Sequence, residues 1–238
     1  MRLHRETLSS TGPSLHSGLN APPAASQAFV PGRASGAVKS YLGQTDHPAR
    51  RISCQNLFHI MRWGLIPSWA KDVSIGNRTL NPRSETATTT PAFRDSILTK
   101  RCLTPADGFY EWQKMGSVKQ PYCFEVGEGE VFAFAGLDEW RSPDGEIIES
   151  CTILTTGPNS LVADLHDRMP VIVTPDKYDV WLDPDVNDFN TIRDILKPYD
   201  ANLMRRYPVS RKLNNSKVDD ADSASPVTLD IPTQGQLF

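Results

Sequence analysis

Alternating apolar and polar residues indicate four short strands in the middle of the chain. Each is bounded by Gly, Pro, Asp or Asn, as strand ends commonly are. They cover residues 122–126, 131–135, 151–155 and 171–173. The first two are separated only by Gly-Glu-Gly-Glu at 127–130, and this spacing predicts a hairpin.

Helical patterns are fewer. Thr174-Pro175 predicts the start of one helix, because threonine caps helix N-termini and proline is tolerated in the first turn. A second helix is predicted over 189–196, ending before Pro198, and a third, short one over 159–166. Short hairpins without strand–helix–strand alternation predict an α+β fold, with a mainly antiparallel sheet and a few peripheral helices.

The composition along the chain suggests one folded domain with two polar ends. Residues 1–50 are rich in Ser, Ala, Gly and Pro, and we expect a diverged or disordered segment there. The predicted domain covers 51–220, and residues 221–238 read as a polar C-terminal tail.

Composition narrows the class of protein. With 39% hydrophobic residues, 22% charged residues and a mean hydropathy of −0.39, the chain is typical of a globular protein. No apolar run is long enough to cross a bilayer and no secretory signal is visible, so we expect a cytoplasmic protein without a membrane partner. A net charge of −3 and a pI near 6.0 mean that any DNA contact needs a local basic patch.

The four cysteines are scattered, without the spacing of zinc ligands. We therefore expect reduced thiols, with Cys123 and Cys151 as small core residues, and neither a metal site nor a cofactor.

Two residues of the predicted domain could transfer protons. His166 is its one histidine beyond position 59, in a segment that a loop could present to a pocket; the alternative is a histidine that caps a helix C-terminus. Glu111 is surrounded by aromatic residues, which would desolvate it and raise its pKa. The alternative is a strand residue that faces solvent.

Two side chains that precede Glu111 in the sequence could donate hydrogen bonds to a ligand. Asn81 and Arg83 lie two residues apart, so in an extended chain both would point the same way and could hold a carbonyl or phosphate oxygen. An ordinary surface loop with an ion pair between Arg83 and Glu85 is the alternative.

Tryptophans could bind unpaired bases. Trp63 and Trp69 could stack on bases of a single strand. Core packing is the alternative for both.

Taken in order, these segments strongly resemble the SRAP family, also called SOS response-associated peptidases or abasic-site processing proteins. The resemblance covers about residues 61–220. It is carried by Trp-Gly-Leu-Ile-Pro-Ser-Trp at 63–69, Asn-Pro-Arg-Ser-Glu-Thr at 81–86, Pro-Ala-Asp-Gly-Phe-Tyr-Glu-Trp at 105–112 and His-Asp-Arg-Met-Pro at 166–170.

The resemblance implies a β-rich fold with a positively charged groove for single-stranded DNA that contains abasic sites. It also implies residue roles and a nucleoid-associated protein. Asn81 is expected to orient the sugar or the nucleophile, and Glu111 and His166 to move protons. The expected DNA-binding residues are Arg83 and Arg168, which would hold phosphates, and Trp63, Trp69 and Trp112, which would shape the groove or stack in it.

The start of the chain departs from the family pattern. Family members begin Met-Cys-Gly-Arg and use the cysteine, exposed by removal of the methionine, to crosslink to the abasic sugar through a thiazolidine. Here residues 1–4 are Met-Arg-Leu-His, and no cysteine precedes Cys54, whose nitrogen lies in a peptide bond. We interpret this as a diverged, misread or frame-shifted N-terminus, and expect imine or β-elimination chemistry at most from the chain as printed.

The last residues suggest a second partner. Gln234, Leu237 and Phe238 resemble the Gln-x-x-Leu-Phe peptide that docks in the bacterial sliding clamp, with a chance match as the alternative.

Two other functions stay open. One is an autoproteolytic peptidase that uses Glu111 with His166, or Ser160 with His166. The other is a non-catalytic protein that binds DNA lesions and recruits the clamp.

Overall fold

The computed structural model describes residues 2–3, 37–42, 57–141, 147–215 and 224–229. The strands in chain order are β1 (Arg2–Leu3), β2 (Ala37–Leu42), β3 (Leu57–Trp63), β4 (Arg101–Ala106), β5 (Phe109–Met115), β6 (Val118–Val126), β7 (Phe132–Arg141), β8 (Ile148–Ile153), β9 (Thr155–Thr156), β10 (Met169–Pro170), β11 (Ile172–Val173) and β12 (Met204–Pro208). The α-helices are α1 (Ser96–Thr99), α2 (Tyr178–Leu182) and α3 (Phe189–Arg193). Short 3-10 helices cover Val73–Arg78, Ser84–Thr86, Pro175–Lys177, Ala201–Leu203 and Arg211–Asn214.

Three sheets organise these strands. A four-stranded antiparallel sheet has the order β1-β5-β6-β12, and a six-stranded sheet has the order β11-β7-β4-β2-β3-β8. β8 pairs with β3 in parallel and also with β7 in antiparallel orientation. The small sheet of β9 and β10 is antiparallel.

Of the four apolar clusters among the described residues, two are large. One contains aromatic residues from both large sheets: Phe109 stacks on Phe124 with ring centroids 5.0 Å apart, and its other neighbour, Phe134, lies edge-on at 6.0 Å. The other core packs the helices on the six-stranded sheet, with Trp181 donating its indole N–H to the carbonyl of Cys102 at 2.9 Å. The sheets carry the fold, and the helices cover one of them.

This architecture confirms the predicted α+β class and the mainly antiparallel pairing. The predicted hairpin between 122–126 and 131–135 is wrong, because β6 and β7 belong to different sheets. Gly127 and Gly129 have φ values of 54° and 93°, and they turn the chain from one sheet to the other. The hairpin partner of β6 is β5, across a two-residue turn at 116–117.

Two helix predictions also need correction. Residues 159–166 form hydrogen-bonded turns and no continuous α-helix, although the Asn159 side chain accepts from the backbone N–H groups of Leu161 and Val162 as an N-cap does. The helix predicted to reach 196 ends at Arg193. Beyond it the hydrogen bonds span three residues, as in Leu196 to Arg193.

The two polar ends contribute to the fold. β1 and β2 lie inside the segment 1–50, and the rest of that segment lies outside the described residues. In the C-terminal segment, Ala224 is buried and Val227 donates its backbone N–H to the carbonyl of Pro208 at 2.9 Å. The domain boundaries at 50 and 220 stay a prediction. No helix within the described residues has the length and apolar character needed to span a bilayer.

Gly64 directly follows β3, at a point where its backbone lies against the backbone of Gly76. Its φ is 114°, and a Cβ at this position would lie 2.2 Å from the carbonyl oxygen of Gly76. Backbone atoms cannot move aside as a flexible side chain can. A glycine is therefore required between Trp63 and Leu65.

We predict that Gly64→Ala destabilises the protein by roughly 3 kcal/mol or more, because it combines a positive φ with a backbone clash. Denaturant unfolding measures this. Gly157→Ala is the matched control, since nothing lies within 4 Å of a Cβ there, and its unfolding midpoint should stay nearly unchanged. Equal midpoints for the two variants would contradict the prediction.

Candidate functional site

Thr155 in β9 joins two segments that lie far apart in sequence. Its backbone N–H and its hydroxyl both donate to the carbonyl of Pro82, at 2.8 and 3.0 Å. On the other side, its strand pairing places Thr155 opposite Pro170 in β10. The segments 81–86 and 166–170 are thereby held on either side of one strand.

An open pocket of about 200 Å³ lies where these segments meet β5. Its lining residues are Asn81, Arg83, Glu111, Thr155, His166, Arg168, Met169 and Pro170. The pocket brings together all three residues predicted to be catalytic and both predicted phosphate-binding arginines. Their roles in a reaction stay predictions.

Glu111 supplies a buried carboxyl group to this pocket. It lies on β5 two residues after Phe109, so both point to the same face, and only 5% of its surface is exposed. Burial raises the pKa of Glu111 above its ordinary value, while the positive charges of the chain's amino terminus and of His166 oppose the shift. The alternative of a solvent-facing strand residue is therefore wrong.

His166 is held by its own loop. Its backbone N–H donates to the carbonyl of Val162 at 3.0 Å, and its ring Nδ1 lies 3.0 Å from the backbone N–H of Arg168. Nδ1 also lies 3.0 Å from the carbonyl oxygen of Arg168, so the backbone of Arg168 offers this nitrogen both a donor and an acceptor. The ring of His166 is thus held against the backbone of Arg168.

The two arginines of the pocket, Arg83 and Arg168, differ in the hydrogen bonds that their guanidinium groups make. Arg168 donates from Nη1 and Nη2 to the two carboxylate oxygens of Glu85, at 2.9 and 2.8 Å, and from Nη2 to the carbonyl of Thr155 at 2.6 Å. These hydrogen bonds hold the pKa of Glu85 below its ordinary value. The ion pair of Glu85 is thus with Arg168, and the alternative of an ion pair with Arg83 is not found among the described residues. Within the described part of the chain, the exposed side chains of Asn81 and Arg83 make no hydrogen bond or ion pair.

The three tryptophans predicted to bind DNA do not line the pocket. Trp63 is half-buried between two core clusters and donates its indole N–H to the carbonyl of Leu80 at 2.9 Å. Trp112 donates to Asn214 at 2.9 Å, whereas Trp69 is 57% exposed. Their contacts with DNA stay predictions, and Trp69 has the most accessible ring of the three.

Comparison with known proteins agrees with this geometry. The model of the family described as SOS response associated peptidase (SRAP) matches residues 9–216, which include every residue of the pocket. The chain belongs to the SRAP family. The match begins earlier than the motifs at 61–220 and includes β2.

Relatives of this SRAP chain carry a common name. YoqW of Bacillus subtilis, named an abasic site processing protein, is 45% identical over 159 residues, covering 66% of this chain and 71% of the relative. HMCES of Gallus gallus, also named an abasic site processing protein, is 30% identical over 207 residues, covering 76% of this chain and 61% of the relative.

Solved structures confirm the SRAP fold. A crystal structure of a Bacteroides thetaiotaomicron protein matches with a TM-score of 0.70 and 27% identity, covering 82% of both chains. A Bordetella bronchiseptica protein matches with a TM-score of 0.62 and 26% identity, covering 73% of this chain and 84% of that one.

Sequence reasoning missed two features of the SRAP pocket. Thr155 was assigned to a strand without a role, although a polar residue in an apolar strand is a signal that could have been followed. The partner of Glu85 lies 83 residues away, and no local pattern shows it. Gln234, Leu237 and Phe238 lie outside the described residues.

We predict that Glu111→Gln makes the protein more stable at pH 7.5, by roughly 1 kcal/mol, because it removes a desolvated charge. Because the pKa of Glu111 is raised in the folded protein, the stabilising contribution of its protonated form is complete at pH values below the ordinary pKa of the group. This contribution is lost as the pH rises through the folded-state pKa. Urea unfolding at several pH values measures this. Glu128→Gln, at an exposed position, is the control, and a lower stability for Glu111→Gln at pH 7.5 would contradict the prediction.

Proposed function

We propose that this pocket binds an abasic site in single-stranded DNA and processes it. The observation that carries the proposal is the convergence of Glu111 and His166 with the exposed donors Asn81 and Arg83 in one pocket of an SRAP chain. The names of the relatives support the same substrate.

The size of the pocket agrees with a sugar that has lost its base. Ligand pockets for larger molecules are typically about 300–1,000 Å³, and this one has about 200 Å³. We infer that it takes the sugar, with Arg83 at a flanking phosphate and Asn81 at a sugar oxygen. Arg168 is already paired with Glu85 and contributes mainly by fixing the pocket.

The chemistry starts from the ring-closed sugar. Opening it requires a proton on the ring oxygen and loss of the proton of the anomeric hydroxyl. The imidazolium form of His166 can give a proton to the ring oxygen and become neutral, and the carboxylate of Glu111, with its raised pKa, can accept the hydroxyl proton and return it in a later step. The product is an aldehyde, which an amine can attack.

The position of β1 supports an amine as the nucleophile. β1 pairs Arg2 with Tyr110 and Leu3 with Phe109, and Glu111 is the next residue of β5 after Tyr110. The positive charge of the amino terminus acts on the pKa of that carboxyl. We infer that an amine at this end of β1 condenses with the aldehyde to an imine, with release of water.

We predict that the protein binds a single strand with one abasic site more tightly than the same intact strand, and that borohydride traps an imine with the abasic strand. Fluorescence anisotropy and a denaturing gel measure the two effects. Glu111→Gln and His166→Gln should reduce trapping at least tenfold, whereas Asp95→Asn, at an exposed position outside the pocket, should not change it.

A companion chain that begins Met-Cys-Gly-Arg extends the test. A heat-stable adduct from that chain, together with an imine from the printed one, would support an intact pocket. Equal binding to abasic and intact strands without trapping would contradict the proposal and favour the non-catalytic lesion-binding alternative. A shortened N-terminus in the intact mass would favour the peptidase.

A further inference from the structure

The segment 159–166 carries His166 at its end and forms turns without a continuous helix. Its start is held by the side chain of Asn159, which donates to the carbonyl of Tyr199 at 2.8 Å. Its end is held through Val162, whose carbonyl accepts from the backbone N–H of His166 at 3.0 Å. A functional group on such a segment keeps its place only as well as the groups that support it. The position of His166 therefore depends on what holds the middle of the segment.

Arg206 of β12 holds the middle of the segment at three acceptors. Its Nη1 donates to the carbonyl of Leu161 at 2.7 Å and to Oδ1 of Asp164 at 2.5 Å. Its Nη2 donates to Oδ2 of Asp164 at 2.9 Å. Leu161 precedes Val162 and Asp164 follows it, so Arg206 binds the chain on both sides of the residue that holds His166. A planar guanidinium bound in this way keeps one orientation.

The side chain of Arg206 is also fixed relative to Glu111. Arg206 is paired with Phe124 of β6. Glu111 is paired with Tyr122, two residues before Phe124 on the same strand. Cross-strand partners, and residues two apart on one strand, point to the same face of a sheet, so Arg206, Tyr122 and Glu111 share a face. The guanidinium carbon of Arg206 lies 5.5 Å from the centroid of the Tyr122 ring. Arg206 thus spans from the neighbour of Glu111 to the turns that carry His166.

We propose that Arg206 is a positioning residue that sets the separation of Glu111 and His166. In the proposed reaction one of these groups protonates the ring oxygen of the sugar and the other takes the hydroxyl proton, so both must reach the same sugar. Arg206 does not line the pocket and acts only through the turns that it holds. This deepens the proposed function and rests on it for the reaction, whereas the separation itself can be measured without DNA.

The first measurement is a titration of the Glu111 carboxyl group by ¹³C NMR. The positive charge of His166 lowers the pKa of Glu111, and this effect reports the separation of the two groups, because the interaction of two charges falls with distance. His166→Gln should therefore raise the pKa of Glu111. The same substitution in an Arg206→Gln background should give an increase that is roughly half as large or smaller.

The comparison of the two increases removes the direct effect of the Arg206 charge on Glu111, since that charge is absent from both proteins of the second pair. Equal increases in the two backgrounds would overturn the proposal.

Arg205→Gln is the matched control. Arg205 is the preceding residue of β12, so its side chain points to the opposite face of the sheet, where it forms an ion pair with Glu125 at 2.7 Å. The substitution removes the same charge and one ion pair. The increase caused by His166→Gln should be as large in this background as in the wild type, and a reduction equal to that in Arg206→Gln would overturn the proposal.

Two further backgrounds test geometry against charge and against misfolding. Arg206→Lys keeps the charge, but a single ammonium group does not reproduce the fork that holds three acceptors, so the increase should stay small. A full return to the wild-type increase would overturn the proposal. Asp164→Asn weakens the same contact from the side of the turns, at a side chain that is 49% exposed. It provides the test if Arg206→Gln does not fold: a smaller increase supports the proposal, and an unchanged one overturns it.

The second measurement is the rate of imine trapping with abasic DNA. Arg206→Gln should slow trapping roughly tenfold or more, because small displacements of reacting groups are costly, while its affinity for the abasic strand should stay unchanged by fluorescence anisotropy. Arg205→Gln should change neither quantity. An unchanged trapping rate in Arg206→Gln would overturn the proposal. Absence of trapping by the wild-type protein would contradict the proposed function, and the NMR titrations would still decide whether Arg206 sets the separation.

Discussion

The arrangement of the pocket depends on the hydrogen bonds of Thr155. Thr155, in the short strand β9, donates to the carbonyl of Pro82 on one side and accepts from the guanidinium of Arg168 on the other. The ion pair of Arg168 with Glu85 joins the same two segments again, so Asn81 and His166 are held relative to each other through backbone and side chains. Two-point attachment of each loop to a strand is how a site built on irregular segments keeps a defined geometry.

Burial determines the chemistry of the pocket as much as position does. Glu111 lies on β5 of the four-stranded sheet, where desolvation raises its pKa, while the donors Asn81 and Arg83 remain exposed. A titratable group on rigid backbone and accessible donors around it suit a substrate that enters from solvent. In the same lining the charge of Arg168 is balanced by Glu85, whereas Arg83 has no ion pair among the described residues.

Sequence reasoning recovered the parts of this molecule that local patterns or family motifs encode. Local sequence patterns predict the strands around 122–126 and 151–155 and the antiparallel pairing, and family motifs predict the grouping of Asn81, Glu111 and His166. The connection between β6 and β7 could not be predicted in this way, because two glycines can return a chain to the same sheet or lead it to another. The partner of Glu85 was missed for a similar reason: Arg83 is near in sequence, but Arg168 is near in space.

The buried cysteines have a consequence for the redox behaviour of the protein. Cys102, Cys123 and Cys151 are all buried, and burial raises the pKa of Cys123 to about 12. At neutral pH almost none of that thiol is thiolate, the form that peroxides and alkylating agents attack. These three positions should therefore tolerate an oxidising environment, and a cysteine newly placed at the surface would be labelled ahead of them.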